Sequence, residues 1–152
     1  MWDTCGQESF RGIIRSYYRG ADAFIIYYNI TDRTSFTHVK SWLSEVEMHR
    51  KDSNYAYPKL LIGCKSDLQD HRTTTYEEAK TFAINNNMLY IETSSKTGEN
   101  VEAAYNTFAK MIISDPAYIN ARQQQIEARK LETVLARRRE EYNKKRKNCH
   151  IM

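Results

Sequence analysis

Residues 59–67, KLLIGCKSD, set the expected fold of this chain. The first six of them form a largely apolar run of strand length, and a polar loop, residues 65–74, follows. Two further runs of this kind are AFIIYYN at 23–29 and MLYIE at 88–92. A strand that is covered on both faces carries few polar side chains, so continuous apolar runs are typical of a parallel sheet. The three runs therefore predict three parallel strands.

Segments with helical periodicity alternate with these strands. A loop and helix cap at residues 31–35 precede a helix predicted for 36–49. Thr75 and Glu78 fit a capping box, in which Thr75 caps the next helix and Glu78 reaches back to it. A last helix opens at Asn100. The residues expected to face the core are Phe36, Val39, Trp42, Leu43 and Val46, then Ala79, Phe82 and Ala83, and then Val101, Ala104, Tyr105, Phe108, Met111 and Ile112.

Strands that alternate with helices of this length indicate an α/β fold with a parallel sheet. In such sheets, ligands bind beyond the carboxyl ends of the strands. The loops 65–68 and 94–96 both follow predicted strands, so a ligand is expected there.

The first 21 residues, MWDTCGQESFRGIIRSYYRGA, place a carboxylate, a glycine and a long amide close together. Asp3, Gly6 and Gln7 are the residue types that a site for a metal-bound phosphate and an attacking water needs. The alternative interpretation is an Asp/Gly turn that caps the helix predicted for Ser9–Tyr18. The apolar side of that helix would be Phe10, Ile13, Ile14 and Tyr17.

The net charge of +4 is unevenly distributed. The first 114 residues carry thirteen Lys and Arg against fourteen Asp and Glu, whereas residues 115–152 carry ten against five. A basic core that binds nucleic acid is therefore not expected, and the tail is expected to meet an anionic surface. Three scattered cysteines and a polar N-terminus indicate a reduced cytosolic compartment.

Asp115 and Pro116 form a helix cap and a first-turn proline. Residues 117–147 are rich in Ala, Glu, Gln, Lys and Arg, which favour a long helix with only a patchy apolar stripe. Two regions are thus expected, a domain at 1–114 and a basic helical tail at 115–152.

Three motifs carry a family resemblance. WDTCGQESFR followed by SYYRGA closely resembles the second switch region and following helix of Rab-type small GTPases of the Ras superfamily. GCKSD at 63–67 resembles the base-recognition motif N-K-x-D, and ETSSK at 92–96 resembles E-T-S-A-K. The resemblance covers roughly residues 1–113. It implies the P-loop NTPase-like fold of a small GTPase without its first strands, and the nucleotides GTP and GDP with Mg²⁺.

The resemblance assigns the nucleotide-binding roles of the two later motifs. Asp67 would accept hydrogen bonds from the ring N–H and exocyclic amine of guanine, and the stem of Lys65 would pack over the purine. Cys64 stands where the family has Asn, and a thiol is a weak donor and acceptor, so contacts to the base and the phosphate loop are weakened. Ser94, Ser95 and Lys96 would close over the base from the other side, with a backbone N–H on the guanine carbonyl oxygen. The alternatives are an ordinary turn at K-S-D and a polar strand-to-helix loop.

The same resemblance makes Gln7 the catalytic residue that positions water. It makes the Gly6 N–H a γ-phosphate contact and Asp3 an indirect Mg²⁺ partner. Cys5 replaces the usual Ala of the family, and a buried structural cysteine is the alternative interpretation. No glycine in these 152 residues begins the pattern G-x-x-x-x-G-K-[ST], so we expect an N-terminally truncated protein that does not hydrolyse GTP by itself.

The last four residues, Cys149 to Met152, match a C-a-a-X prenylation signal, and the terminal Met indicates farnesyl. The basic run Lys144–Lys147 supplies a second membrane signal. A solvated basic helix with an unmodified cysteine is the alternative.

The functional hypothesis is a Rab-like GTPase that regulates vesicle traffic through effector, exchange and GTPase-activating proteins. Its lipid anchor would hold it on the cytosolic face of an endomembrane or of the plasma membrane. The alternative is a non-catalytic, membrane-tethered interaction module, and a third, weaker one is a membrane-surface helix protein that carries the core as cargo.

Overall fold

The parallel sheet expected from the three apolar runs is present. The computed structural model describes residues 4, 17–18, 21–49 and 57–148. Its strands are β1 (Phe24–Asn29), β2 (Lys59–Cys64) and β3 (Leu89–Thr93), paired in parallel in the order β1-β2-β3. The predicted α/β fold with a parallel sheet is therefore confirmed, and the third strand lies one residue later than predicted.

The α-helices that are described from end to end are α1 (Arg33–His49), α2 (Tyr76–Asn85), α3 (Val101–Ser114) and α4 (Pro116–Asn148). A short 3-10 helix, Gln69–His71, follows β2. Helix α1 begins three residues before the predicted position. The Asp32 carboxylate accepts from the N–H groups of Thr34 and Ser35 at 2.9 and 3.3 Å, which caps the helix at that point.

The two faces of the sheet pack against different helices. On one face, Ile26, Tyr28 and Leu61 meet buried residues of α1 and α2. On the other, Leu60 and Ile62 meet Ala104 and Phe108 of α3. Because alternate residues of a strand point to opposite faces, β2 is buried on both, and its residues 60–62 are at most 1% exposed.

Predictions about individual side chains are right at the Thr75 cap and wrong for two residues of α3. The Thr75 hydroxyl caps the Glu78 N–H at 3.2 Å, and the Glu78 carboxylate accepts a hydrogen bond from the Thr75 backbone, so the capping box is present as predicted. The sequence did not predict that the Glu78 carboxylate also accepts two charge-assisted hydrogen bonds from Arg33, at 2.5 and 2.6 Å. Tyr105 and Met111 of α3 are exposed, since an apolar stripe does not reveal how far a neighbouring sheet extends beneath it.

The predicted helix Ser9–Tyr18 lies outside the described residues except for its last two. Tyr17 and Tyr18 are helical, and Tyr18 is the buried one, packed against Phe24 and His49 with ring centroids 5.9 and 5.5 Å apart. Tyr17, expected on the apolar side, is exposed.

The chain divides into two compact units, Met1–Ser114 and Asp115–Met152. In the second unit, α4 is a single helix of 33 residues whose start is capped by the Asp115 carboxylate, 3.4 Å from the Tyr118 N–H. Several of its large apolar side chains are exposed, including Ile119, Leu131 and Tyr142. None of the helices in the described part of the chain is both long and apolar enough to span a bilayer.

Candidate functional site

The loops that follow β2 and β3 meet at the carboxyl edge of the sheet. The Ser66 N–H donates to the Thr93 carbonyl at 3.0 Å, which joins the two loops directly. A turn in the first loop is closed by the Leu68 N–H and the Lys65 carbonyl at 2.9 Å. Since β2 and β3 are neighbours in the sheet, the contact between Ser66 and Thr93 follows from the pairing of the two strands.

Asp67 is held at this edge by a buried hydroxyl. The Ser94 Oγ donates to Asp67 Oδ1 at 2.5 Å, and Ser94 is fully buried. That hydrogen bond, with the charges of Lys96 and Lys65, keeps the pKa of Asp67 below its ordinary value. The carboxylate is therefore ionised at neutral pH. An ionised carboxylate has about four lone-pair directions, so it retains acceptors after the bond to Ser94.

Ser94 also organises the second loop. Its N–H donates to the Glu99 carbonyl at 3.1 Å, its carbonyl accepts from the Gly98 N–H at 2.9 Å, and its Oγ accepts from the Thr97 N–H at 3.2 Å. Gly98 has a φ of +81°, which a residue with a Cβ adopts only with strain. The turn leaves Ser95 and Lys96 exposed at its tip.

Lys65 has a left-handed backbone with a φ of 67°. This conformation is uncommon outside glycine and costs a non-glycine residue about 1–2 kcal/mol. Residues held in such conformations cluster at ligand sites, where the surrounding structure maintains them. The strain at Lys65 therefore marks this loop as a candidate site independently of any motif.

The strain gives a testable prediction. We expect Lys65→Gly to raise the free energy of unfolding by about 0.5–1 kcal/mol, because glycine adopts this φ freely but loses more entropy on folding. Lys65→Ala retains the strain and should be close to the wild type. Urea denaturation of both variants measures the difference, and equal stabilities would contradict a strained loop.

Cys64 is half-buried beneath the loops. Burial raises the pKa of its thiol, so the thiol is neutral at pH 7. A cavity of about 140 Å³ opens beside it, lined by Tyr27, Ile62, Cys64, Thr93, Ser95, Val101 and Tyr105. The hydroxyls of Tyr27 and Tyr105 form a hydrogen bond of 2.9 Å at this cavity.

The family model for the Ras family matches residues 1–114. The chain belongs to the Ras family. Ras-related protein RABD2a of Arabidopsis thaliana is 45% identical over 133 residues, which are 85% of this chain and 64% of that protein. GTP-binding protein YPTM2 of Zea mays is 43% identical over the same number of residues and the same two shares. The Rab-type resemblance is therefore confirmed, and the chain spans less than two thirds of the length of these relatives.

The predicted site residues of this Ras-family chain fall into two groups. Asp67 and Ser94 are in direct contact, Cys64 and Ser95 line one cavity, and the charges of Lys65 and Lys96 act on the Asp67 carboxylate. The predicted residues Asp3, Gly6, Gln7 and Cys149 lie outside the described residues.

Sequence reasoning missed the residues that support this Ras-family site. Ser66, which the motif treats as variable, is buried, and its Oγ donates to Glu99 Oε2 at 2.8 Å. Gln69 donates to the Ser66 carbonyl, Arg72 donates to Gln69 and Glu92, and no spacing rule points to either residue. The one sequence feature that could have indicated a supporting residue is the small polar side chain of Ser66, between Lys65 and Asp67.

Proposed function

We propose that the two loops form the guanine-recognition edge of a Rab-like small GTPase. The single observation that supports this proposal is the ionised Asp67 carboxylate held by the buried Ser94 hydroxyl. Guanine presents a ring N–H and an exocyclic amine side by side, and a carboxylate accepts from both. Adenine presents a ring nitrogen acceptor at the matching position, so the same carboxylate disfavours it.

The remaining base contacts are those that the family resemblance implies for the two loops. The exposed Lys65 stem would cover the purine face, and a backbone N–H at Ser95 would meet the guanine carbonyl oxygen, with Lys96 beside it. Cys64 offers a neutral thiol where the family has an amide, so this corner of the site binds the base less strongly than in a typical member.

Phosphate chemistry is assigned to the N-terminal residues. The Gly6 N–H would contact the γ-phosphate, Gln7 would orient the attacking water, and Asp3 would hold Mg²⁺ through water. Mg²⁺, when bound, would neutralise charge on the phosphates. Within residues 21–49 and 57–148, no cluster of His, Cys, Asp or Glu is suited to a metal ion. The complete protein would hydrolyse GTP and regulate membrane traffic through effectors, exchange factors and GTPase-activating proteins.

A second candidate function is a non-catalytic interaction module. It is favoured by the absence of the pattern G-x-x-x-x-G-K-[ST] from these 152 residues, since that pattern grips the β- and γ-phosphates. We therefore expect no measurable GTP turnover by this chain alone, whether or not it recognises the base.

Nucleotide titration of the purified chain tests both candidates. Chemical-shift changes at residues 65–67 and 94–96 should be larger with GMP than with AMP, and should not require Mg²⁺. Equal changes with the two nucleotides would contradict base recognition. Tight, Mg²⁺-dependent binding of GTP would exclude the non-catalytic module.

Membrane anchoring is a separate proposal that rests on the C-terminal motif and the basic run Lys144–Lys147. We expect Cys149→Ser to shift the protein from the membrane to the soluble fraction of a eukaryotic cell, because a polybasic segment alone binds weakly. Met152→Leu is the control, since it retains a prenylation signal of a different lipid class. An unchanged distribution of Cys149→Ser would count against prenylation.

A further inference from the structure

A chain of polar side chains runs beneath the two base-facing loops. We name it the Arg72 relay, and its members are Tyr28, Tyr90, Glu92, Arg72 and Gln69. The Tyr90 hydroxyl donates to Glu92 Oε1 at 2.5 Å, so the Tyr28 hydroxyl, 2.7 Å from Tyr90 Oη, must donate to Tyr90. The relay therefore has one direction of donation from the core to the Glu92 carboxylate.

Arg72 bonds both Glu92 and Gln69, and so joins the tyrosine–glutamate part of the relay to Gln69. Its Nη1 and Nη2 donate to Glu92 Oε1 and Oε2 at 2.7 and 2.6 Å, and its Nη1 also donates to the Thr74 carbonyl at 3.0 Å. Its Nε and Nη2 donate to Gln69 Oε1 at 2.9 and 2.7 Å. A guanidinium has five N–H donors in a fixed fork, and this arrangement engages all three nitrogens at once.

The two partners of Arg72, Gln69 and Glu92, each connect it to one of the two base-facing loops. Gln69 Nε2 donates to the Ser66 carbonyl at 2.6 Å, within the loop that carries Asp67. Glu92 precedes Thr93, whose carbonyl accepts from the Ser66 N–H. The Glu92 carbonyl also accepts from the Asn100 side chain at 3.0 Å, at the end of the second loop.

Arg72 and Glu92 form a largely buried ion pair, so removal of one member leaves the other charge without its partner. The Arg72 and Glu92 side chains are 16% and 10% exposed. Burial acts to raise the pKa of Glu92, but the bonds from Arg72 and Tyr90 outweigh it and keep that pKa below its ordinary value. Burial also raises the pKa of Tyr28 to about 12, so its hydroxyl remains a donor across the physiological range.

We infer that Arg72 is a positioning residue for base recognition, holding the Asp67 loop and the Ser94 loop at a fixed separation through Gln69 and Glu92. Arg72 touches neither Asp67 nor Ser94 in any contact described above. Its effect on the base therefore passes through the Ser66 backbone and the end of β3. This inference rests on the proposed guanine recognition for its ligand, and on the contacts alone for the ordering of the loops.

Amide hydrogen exchange of the full chain tests the ordering without any nucleotide. Arg72→Met should accelerate exchange of the Ser66 N–H about tenfold relative to the Ala104 N–H, which lies within α3 as a reference. A purely global loss of stability would accelerate both amides together. Equal acceleration, or none, would overturn the inference.

Two further variants sharpen this test. Gln69→Ala removes the bond to the Ser66 carbonyl and the acceptor of two Arg72 donors, but leaves the Arg72–Glu92 pair in place. Because Gln69 is exposed, this variant should accelerate Ser66 exchange about threefold even if Arg72→Met does not fold. Arg33→Met is the matched control, because it removes another two-bond Arg–Glu pair, with Glu78, that reaches neither loop. Accelerated Ser66 exchange in Arg33→Met would contradict a specific role for Arg72.

The ratio of the guanosine and inosine affinities tests the link to the base, because this ratio does not depend on the folded fraction of the protein. Guanosine and inosine differ only in the exocyclic amine that Asp67 would read. We expect the wild-type chain to prefer guanosine about tenfold and Arg72→Met about threefold. An unchanged ratio would overturn positioning of Asp67. A wild-type chain without preference would contradict the proposed function instead, and the exchange experiment would still decide whether Arg72 orders the loops.

Discussion

Asp67→Asn is expected to weaken binding of guanine nucleotides about a hundredfold, because two charge-assisted hydrogen bonds are replaced by one neutral bond and one donor–donor clash. The amide NH₂ of asparagine opposes one of the two guanine donors. The variant should also bind xanthine nucleotides better than the wild type, since xanthine has a carbonyl where guanine has its amine. Titration with GMP and XMP measures both effects.

Asp70→Asn is the matched control for this variant. It removes the same charge from the neighbouring 3-10 helix, on an exposed side chain. Its guanine affinity should stay within about twofold of the wild type, because a solvent-exposed charge is strongly screened. If Asp70→Asn weakened binding as much as Asp67→Asn, the effect would be one of net charge and not of base recognition.

The protonation of Asp67 adds a pH dependence. Its pKa lies below the ordinary aspartate value of 3.8, because the Ser94 hydroxyl and the nearby lysines favour the ionised form. Its contribution to binding and stability is therefore fully present above pH 3.8 and is lost as the pH falls through the lower folded-state pKa. Ser94→Ala should move that loss to higher pH.

Gly63→Val is expected to lower the free energy of unfolding by about 3 kcal/mol, since it forces methyl groups into a filled layer. A Cβ at Gly63 would lie 3.0 Å from the Tyr28 hydroxyl, 3.1 Å from Glu92 Cγ and 3.2 Å from Ile30 Cγ2. These neighbours are buried or tied into the Arg72 relay and have little room to move. Urea denaturation measures the loss.

Gly63→Ala separates crowding from backbone preference. Alanine in a strand is favoured over glycine by about 0.5–1 kcal/mol, so a net loss of stability in this variant requires crowding. Adding Tyr28→Phe removes the nearest atom and should restore part of the loss, which a double-mutant cycle detects. Additive effects of the two substitutions would contradict the steric explanation.

Gly98→Ala provides a contrast. No atom lies within 4 Å of its would-be Cβ, but its φ is +81°. We expect a loss of about 1 kcal/mol from backbone strain alone, with no recovery from Tyr28→Phe.

Much of the candidate site was predictable because its signals are local. Strand β2 was predicted to the residue, since an uninterrupted apolar run bounded by a proline and a polar loop has few other solutions. The Thr75 cap required only a hydroxyl three residues before the N–H that it accepts from. Asp67 and the loop at 94–96 were expected at one edge because the carboxyl ends of neighbouring parallel strands lie together.

What the amino-acid sequence determined by itself is therefore the order of strands and helices, the caps, and the edge of the sheet where polar loops gather. These depend on residues within a few positions of one another. The tertiary structure alone decided that Glu78 pairs with Arg33, that Tyr105 is exposed, that Gly63 faces Tyr28, and that Arg72 joins two loops through Glu92. Such contacts join residues 20 to 45 positions apart along the chain, and the packing of separate elements sets their distances.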